Sequence, residues 1–363
     1  MKKKQPDIIL FLTTFLLLSI GIVMVLSSSS YHAMLHYDDP FYFLKRQLIW
    51  ASLGIVAMFF TMHINYYKTK RFIVPGFIIT LGLLILVLIP GVGIKVKGST
   101  RWLGVGSLTF SPSEIVKLAV VFFFARAISL DPEYIKKPKG FLSYLLILGL
   151  VAFLLLKQPD LGTTVAVAGT VFCIFIAAGA RVSHLTGLAF LGILGVVALI
   201  IAEPYRINRI IGFLNLWETA SDEGYQTVQS LYALGSGWLF GIGLGNSRQK
   251  FLYLPERHTD FIFAIIGEEL GFIGVSLVIL LFFLFIWRGY RIALFAPDRF
   301  SSLLAVGLTS IIAVQSVINM GVVTGSLPVT GITLPFISYG GSSLLFSLIG
   351  VGFLLNISRY CQK

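Results

Sequence analysis

The chain has few of the charged residues that cover a soluble protein, and almost no cysteine. Charged residues make up 12% of its 363 residues, about half the share found in soluble globular domains. Cys173 lies within an apolar run and Cys361 near the end of the chain, too far apart in depth to pair, and neither indicates a metal site or redox chemistry. No stretch is long and polar enough to form a separate soluble domain. These shortages exclude a soluble globule.

Long apolar runs make up most of what is present. Hydrophobic residues account for 56% of the chain, and the mean hydropathy is +0.90. Helices of about 18–25 apolar residues can cross a hydrocarbon core of ~30 Å. We therefore predict an all-α integral membrane fold in which one domain fills residues 1–363 and about ten helices span the bilayer. The predicted spans are 8–29, 47–64, 72–90, 113–130, 141–156, 161–180, 184–202, 261–287, 301–322 and 334–357.

The distribution of basic residues predicts the orientation. Met1-Lys-Lys-Lys before the first span resembles a signal peptide, but no convincing cleavage site follows, which favours a retained signal anchor. An even number of spans puts both termini on one side, where sixteen Lys and Arg fall, against six in the short loops of the other side. The termini are thus predicted to be cytoplasmic. The net charge of +12 is explained by this excess of Lys and Arg on the cytoplasmic side, so it does not indicate a nucleic-acid partner.

Five connections are therefore predicted to be extracytoplasmic. The longest, about 203–260, is the kind of long polar loop that tends to carry binding or chemistry. Within it, 226–240 has helical apolar spacing beside the polar Gln226, which favours a helix on the outer interface; a helix that only covers the bundle mouth is the alternative. The Gly-rich stretch 235–245 follows no strand, so it does not indicate a dinucleotide site. The other connections are about 30–46, 91–112, 157–160 and 321–335.

Three carboxylates lie where an apolar run enters the membrane, a costly position that usually indicates function. Asp260 is predicted at the outer boundary of the eighth span, where it can meet both water and a lipid-borne substrate, and it is the candidate catalytic residue; a helix N-cap is the alternative. Glu268 and Glu269 follow about 12–14 Å deeper at 1.5 Å per residue, and we interpret them as paired structural or proton-relay groups. His258, the histidine nearest Asp260 in the sequence, is interpreted as a solvent-facing loop residue, with a general base as the alternative.

Charged residues at the fourth span form a second candidate group. Glu114 and Lys117 are spaced i, i+3 and share a helix face, so local neutralisation is one interpretation. With Arg101 and Trp102 they would also suit a diphosphate, since the cations match its charge and the aromatic ring its sugar or lipid neck. Both interpretations stay open.

Other polar residues, Gln226 among them, are candidates for substrate contacts. Asp160 begins the sixth span and could also cap it, while Arg206 and Arg209 could be interface anchors or pyrophosphate clamps. The start of the tenth span, 327–343, combines two prolines, small residues and hydroxyls, a composition tolerated where backbone lines a wet cavity. It is predicted to form one wall of the site, with Ser338 and Ser342; helix packing is a further role for its small residues.

Seven motifs in order resemble the SEDS family (shape, elongation, division, sporulation) of bacterial cell-wall glycan polymerases, over essentially the whole chain. Their forms are similar to the division and sporulation branch, and the elongation branch is the alternative. The motifs are Arg101-Trp-Leu-Gly-Val-Gly with Pro112-Ser-Glu-Ile-Val-Lys117, Gln158-Pro-Asp-Leu-Gly162, Pro204-Tyr-Arg-Ile-Asn-Arg209, Tyr225-Gln-Thr-Val-Gln-Ser230, Leu254-Pro-Glu-Arg-His-Thr-Asp260-Phe-Ile-Phe, Gly267-Glu-Glu-Leu-Gly271 and Leu334-Pro-Phe-Ile-Ser-Tyr-Gly-Gly-Ser-Ser343.

The resemblance implies a peptidoglycan glycosyltransferase that joins lipid II units into β-1,4-linked glycan at the outer leaflet. It implies that Asp260 is the catalytic carboxylate, that a class B penicillin-binding protein and other divisome or sporulation proteins are partners, and that Mg²⁺ or Mn²⁺ could assist. Two other classes fit a ten-helix bundle with buried charges: a lipid II flippase and a non-enzymatic divisome scaffold. Transport sites usually lie near the midplane of the membrane, which disfavours a flippase here.

Overall fold

The computed structural model describes residues 4–96, 99–105, 108–251 and 253–361 of the chain. Its helices are α1 Ile8–Tyr37, α2 Tyr42–His63, α3 Tyr66–Thr69, α4 Ile73–Leu88, α5 Pro112–Leu130, α6 Pro138–Lys157, α7 Leu161–Ala177, α8 Val182–Ile201, α9 Pro204–Leu214, α10 Tyr225–Ser236, α11 Ile262–Leu294, α12 Arg299–Val323 and α13 Gly341–Ser358. Strands β1 Ile94–Val96, β2 Ser99–Val105 and β3 Leu108–Phe110 form one antiparallel sheet in the order β1-β2-β3.

The fold class predicted from the sequence is confirmed. Among the described residues, eight helical segments are long and apolar enough to cross a membrane. Two further helices coincide with predicted spans: α7 is shorter, and α5 carries Glu114, Lys117 and Arg126. The total of ten spans stays a prediction.

Several predicted boundaries are wrong. Helix α1 continues to Tyr37 and α2 starts at Tyr42, so the connection predicted at 30–46 is only four residues long. The rings of Tyr37 and Tyr42 stack with their centroids 3.8 Å apart. The loop predicted at 91–112 contains the three-stranded sheet. Helix α13 begins at Gly341 instead of 334, because Pro335 cannot donate a backbone hydrogen bond and Phe336 has a φ of +65°.

Helix α12 forms the centre of the bundle, and it packs against α5, α7, α10, α11 and α13. Its first turn contacts Tyr67 through Asp298, and its last turns approach Asp260 through Asn319. Helix α8 is at the other extreme, since none of its residues is buried. The bundle therefore has one end defined by Asp298 and another by Asp260.

The first and last described residues of the chain lie near the Asp298 end. The backbone N–H of Lys4 donates to the carbonyl of Arg359 at 2.9 Å, and Asp7 pairs with Arg288 at the far end of α11. This arrangement fits an even number of crossings. We call the two ends of the bundle the terminal end and the Asp260 end.

A candidate active site at the Asp260 end

Asp260 closes a tight turn directly before α11. The N–H groups of Thr259 and Phe261 both donate to the carbonyl of Glu256, which has a φ of +52°. Asp260 does not occupy the N-cap position of α11, because that position belongs to Phe261. Asp260 itself is half-buried, between the turn and the start of α11.

The irregular segment 325–340, between α12 and α13, holds this turn in place. Ser338 Oγ donates to the carbonyl of Thr259 at 2.6 Å, and the N–H of Tyr339 donates to the carbonyl of His258 at 2.9 Å. A Cβ on Gly331, which has a φ of +75°, would lie 3.6 Å from Oδ2 of Asp260. The predicted wall of the site therefore does lie against Asp260.

Asn319 joins the same two segments from α12. Its Nδ2 donates to the carbonyl of Asp260 and to the carbonyl of Ile332, both at 2.7 Å. Sequence reasoning missed this buried residue. A polar residue three positions before the end of a predicted span was a weak signal, and only the fold shows which carbonyls it reaches.

Arg101 and Asp160 meet beside this wall. Arg101 Nη1 lies 3.6 Å from Oδ1 of Asp160, and the same guanidinium donates to the carbonyls of Gln158 and Pro159. Asp160 also caps α7 through the N–H of Thr163 at 3.0 Å, so the capping role coexists with the ion pair. Trp102 follows in β2, opposite Ile94, and is half-buried.

The start of α7 connects this pair to the wall. A Cβ on Gly162 would lie 2.9 Å from the carbonyl oxygen of Thr330, and it would also meet Ile332. A side chain at position 162 would therefore displace the segment that faces Asp260.

A chain of hydroxyls links α13 to the sheet and α5. Ser342 Oγ accepts from the N–H of Ser111 at 3.3 Å, and Ser111 Oγ donates to the carbonyl of Arg101 at 3.3 Å. Ser342 is thus a buried connector between three elements, while Ser338 supports the turn that carries Asp260.

Lys117 is buried and forms an ion pair with the half-buried Glu114, with Nζ 2.5 Å from Oε2. They line a cavity of about 20 Å³ together with Gln315 and Ser347, a volume that suits about one water molecule. Gln315 precedes Asn319 by four residues on α12, so this residue of the cavity wall lies about 6 Å along the helix from the support of Asp260.

The two loop arginines have different positions. Arg209 Nη1 donates to the carbonyl of Val329 at 3.1 Å and so lies along the wall of the site. Arg206 is buried and donates to the carbonyl of Leu199 at the end of α8. Gln226 is half-buried on α10, whose Thr227 approaches Gly325 at the edge of the same wall.

Glu268 and Glu269 are fully buried, and protein surrounds both carboxylates. Glu268 accepts from the hydroxyl of Ser247 and the N–H of Arg248. Glu269 accepts from the hydroxyl of Ser27 on α1 at 2.6 Å and lies 3.7 Å from Nζ of Lys250. These carboxylates fasten residues 247–250, which lead into the Asp260 turn.

Side chains around the turn are shielded from water. His258 packs against Phe43 and Tyr339, with ring centroids 4.7 and 5.8 Å away, so the prediction of a solvent-facing residue is wrong. Burial raises the pKa of Tyr339, although Arg46 opposes the shift. Burial lowers the pKa of Arg257, with Glu256 opposing. Charges in such surroundings interact more strongly than in water.

A metal site is not evident from the side chains. Across the described part of the chain, no group of three or more His, Cys, Asp and Glu residues could hold an ion. Magnesium is often bound by one or two carboxylates together with substrate phosphates, so a requirement for Mg²⁺ or Mn²⁺ stays a prediction.

The bundle and its site define a polytopic helical membrane protein with a half-buried carboxylate at one end, bordered by arginines. Its sequence matches the profile of the Cell cycle protein family FTSW_RODA_SPOVE over residues 7–363. The chain belongs to this family, which confirms the SEDS resemblance.

Relatives are similar over nearly their whole length. Stage V sporulation protein E of Bacillus subtilis is 51% identical, with 99% of each chain covered. The probable peptidoglycan glycosyltransferase FtsW of Trichlorobacter lovleyi is 46% identical, covering 98% of this chain and 93% of the relative.

Solved structures share the fold. A chain from a study of "polymerization and crosslinking by a peptidoglycan synthase complex" has a TM-score of 0.82 at 30% identity, with 98% of each chain covered. The rod shape determining protein RodA of Thermus thermophilus has a TM-score of 0.74 at 29% identity, also with 98% of each chain covered.

Proposed function

We propose that this protein is a peptidoglycan glycosyltransferase that polymerises lipid II, with Asp260 as the general base. Relatives named as probable peptidoglycan glycosyltransferases support the activity. The observation that carries the role of Asp260 is its position, half-buried on a turn that Asn319, Ser338 and the segment at Gly331 hold from three sides.

The reaction needs a base for the acceptor hydroxyl, whereas an acid for the leaving group is hardly needed. The 4-hydroxyl oxygen of the acceptor sugar attacks the anomeric carbon of the donor, and the bond from that carbon to the lipid diphosphate breaks. The hydroxyl proton passes to Asp260, and the electron pair leaves with the diphosphate, which is stable as an anion. Attack from the face opposite the leaving group inverts the anomeric carbon, and a single carboxylate base suffices.

Arginine and lysine side chains supply the positive charge for the diphosphate. A guanidinium has five N–H donors, so Arg101 and Arg209 can bind phosphate oxygens while they keep their bonds to backbone carbonyls. Lys117 lies deeper, paired with Glu114, and can exchange that partner for a phosphate or for Asp260. Fixed cations placed where negative charge develops stabilise the transition state.

We assign the Asp260 end to the outer surface of the cell membrane. The first and last described residues lie at the opposite end, and the excess of Lys and Arg predicted on that side matches the cytoplasmic side. Lipid II would then be used in the outer leaflet after another protein has moved it there. A class B penicillin-binding protein, anchored by one span, could reach the site from outside.

The test is polymerisation of lipid II by the purified protein in liposomes, with and without a partner transpeptidase. Long glycan strands that disappear in Asp260→Asn support the proposal. A flippase would instead move labelled lipid II across the bilayer and make no glycan with any partner. Lipid II movement without glycan synthesis would reassign Asp260 to transport.

A further inference from the structure

Helix α11 is broken at Gly271, and the loop after α10 forms hydrogen bonds with the backbone groups on both sides of the break. Gly271 has φ 66° and ψ −164°. The N–H groups of Phe272 and Ile273 donate to the carbonyls of Trp238 and Leu239 at 2.8 and 3.2 Å. In return, the N–H groups of residues 242 and 243 donate to the carbonyls of residues 268 and 269 at 3.0 and 3.1 Å. Backbone groups freed within a membrane protein need such partners.

Three glycines allow this backbone-to-backbone contact. A Cβ on Gly237 would lie 1.9 Å from the carbonyl oxygen of Gly267, and one on Gly271 would lie 2.3 Å from the nitrogen of Gly241. Gly241 itself has a φ of +78°. The loop is therefore seated on α11 in one fixed position.

The same contact exposes three large apolar side chains. Trp238, Leu239 and Phe240 are 83%, 57% and 78% exposed, although their segment is held by the backbone bonds to α11. Trp238 has a φ of +46°, a conformation that is strained for a bulky residue. We call these three residues the apolar knuckle. Strain and exposure together indicate that the indole contacts something outside the chain.

We propose that the apolar knuckle inserts into the membrane leaflet at the Asp260 end and anchors residues 237–250 there. The knuckle carries no charge, and a tryptophan beside two apolar side chains suits the boundary between headgroups and acyl chains. It is also continuous with exposed apolar residues of α11, namely Phe272, Ile273, Leu277, Leu280 and Phe283. That continuity favours lipid over a protein partner.

The anchor has a consequence for the Asp260 turn. Residues 247–250 follow the knuckle, Glu268 and Glu269 fasten them, and the Asp260 turn begins a few residues later. The knuckle thus sets the depth of this part of the loop in the leaflet. This inference concerns membrane contact and holds whether or not Asp260 is the catalytic base.

Tryptophan fluorescence tests the proposal. The full chain is reconstituted in phosphatidylcholine vesicles, with lipids brominated either near the start or near the end of the acyl chain. Subtracting the emission of Trp238→Phe from that of the unaltered protein isolates Trp238. We expect this difference to lose intensity with brominated lipid, more with shallow than with deep bromine. Trp287→Phe, at an exposed position of the membrane-spanning part of α11, is the control for a lipid contact.

Two results would overturn the proposal. Quenching by aqueous acrylamide and not by brominated lipid would put the knuckle in water. Quenching by neither would mean that protein, such as a second copy of the chain, covers it. If Trp238→Phe fails to fold, the emission of Phe240→Ser is subtracted from that of the unaltered protein instead. The blue-shifted emission of Trp238 should move to longer wavelength when its apolar neighbour is lost. An unchanged spectrum contradicts the anchor.

Discussion

The side-chain amide of Asn319 fixes the backbone of Asp260, with Nδ2 2.7 Å from the Asp260 carbonyl oxygen. Asn356 does the equivalent at the terminal end, where its Nδ2 donates to the carbonyls of Thr61 and Ile64. Both amides are buried and each serves two backbone acceptors. The chain therefore contains a matched pair of buried asparagines, only one of which lies at the candidate site.

Asn319→Ala is expected to lower glycan synthesis more than its loss of stability explains. Each variant, Asn319→Ala and Asn356→Ala, leaves two carbonyls without a donor, which costs about 1–3 kcal/mol for a buried group. Thermal unfolding in detergent should thus shift similarly in both. Activity per folded molecule should fall only in Asn319→Ala, and equal losses in the two variants would contradict a positioning role.

Asp260→Asn is expected to keep folding and membrane insertion but to abolish polymerisation, because an amide cannot accept the acceptor's proton. General-base catalysis contributes roughly 10²–10⁴-fold. The measurement is the length distribution of glycan strands made from lipid II, with thermal unfolding as the folding control. A reduction of only about tenfold is too small for the proposed base.

The sequence predicted the place of the site better than its construction. Asp260, Asp160, Arg101 and Ser338 come together because they stand at the ends of apolar runs, and run ends on one side of a bilayer share a surface. The supporting contacts could not be predicted, since Asn319 and Gly331 act through backbone carbonyls and close approach, which depend on how distant segments pack.

Helix regularity was the other source of error. The partners of Glu268 and Glu269 could not be predicted from the apolar run, because α11 breaks at Gly271 and a loop folds over both carboxylates. The predicted start of the tenth span at 334 was also wrong, because α13 begins at Gly341. By hydropathy alone, the proline-containing apolar segment before it looks like part of the span.

Lys117→Met is expected to cripple turnover if Lys117 faces the substrate or Asp260. The single variant leaves the half-buried charge of Glu114 without Lys117, which is itself destabilising. The informative variant is therefore Glu114→Gln with Lys117→Met, which removes both charges. We expect this double variant to fold and still make no glycan.

The charge-exchanged variant, Glu114→Lys with Lys117→Glu, separates the two interpretations of the pair. A purely local ion pair tolerates the exchange because its charges stay on one helix face. Full polymerisation by this variant would show that the pair is local, and it would remove Lys117 from the set of diphosphate contacts.

Asp298 is expected to stabilise the terminal end in a pH-dependent way. It caps α12 through the N–H of Phe300 and Ser301. Burial would raise the pKa of Asp298, but bonds from Tyr67 and Ser301 and the charge of Lys70 outweigh it and hold the pKa below the ordinary 3.8. The stabilisation is therefore complete above this ordinary value and is lost as the pH falls through the lowered pKa.

Thermal unfolding of Asp298→Ala checks this stabilisation. At neutral pH the variant should lose about 0.5–2 kcal/mol, the usual contribution of an N-cap. The difference from the unaltered protein should shrink as the solution is acidified below the pKa of Asp298. A difference that does not change with pH would mean that the contribution is not carried by the ionised carboxylate.

A partner transpeptidase is expected to accelerate polymerisation without contributing chemistry. The loop from α8 to α11 has exposed residues near α9 and α10, and it leads into the Asp260 turn. A partner that binds this loop can therefore raise the population of molecules in which the site is assembled.

The purified protein alone should be slow. Adding the cognate class B penicillin-binding protein, even with its own catalytic serine replaced, should increase glycan synthesis, and it should do nothing for Asp260→Asn. If only the catalytically active partner accelerates the reaction, the effect comes from crosslinking of the product, and activation through the loop is wrong.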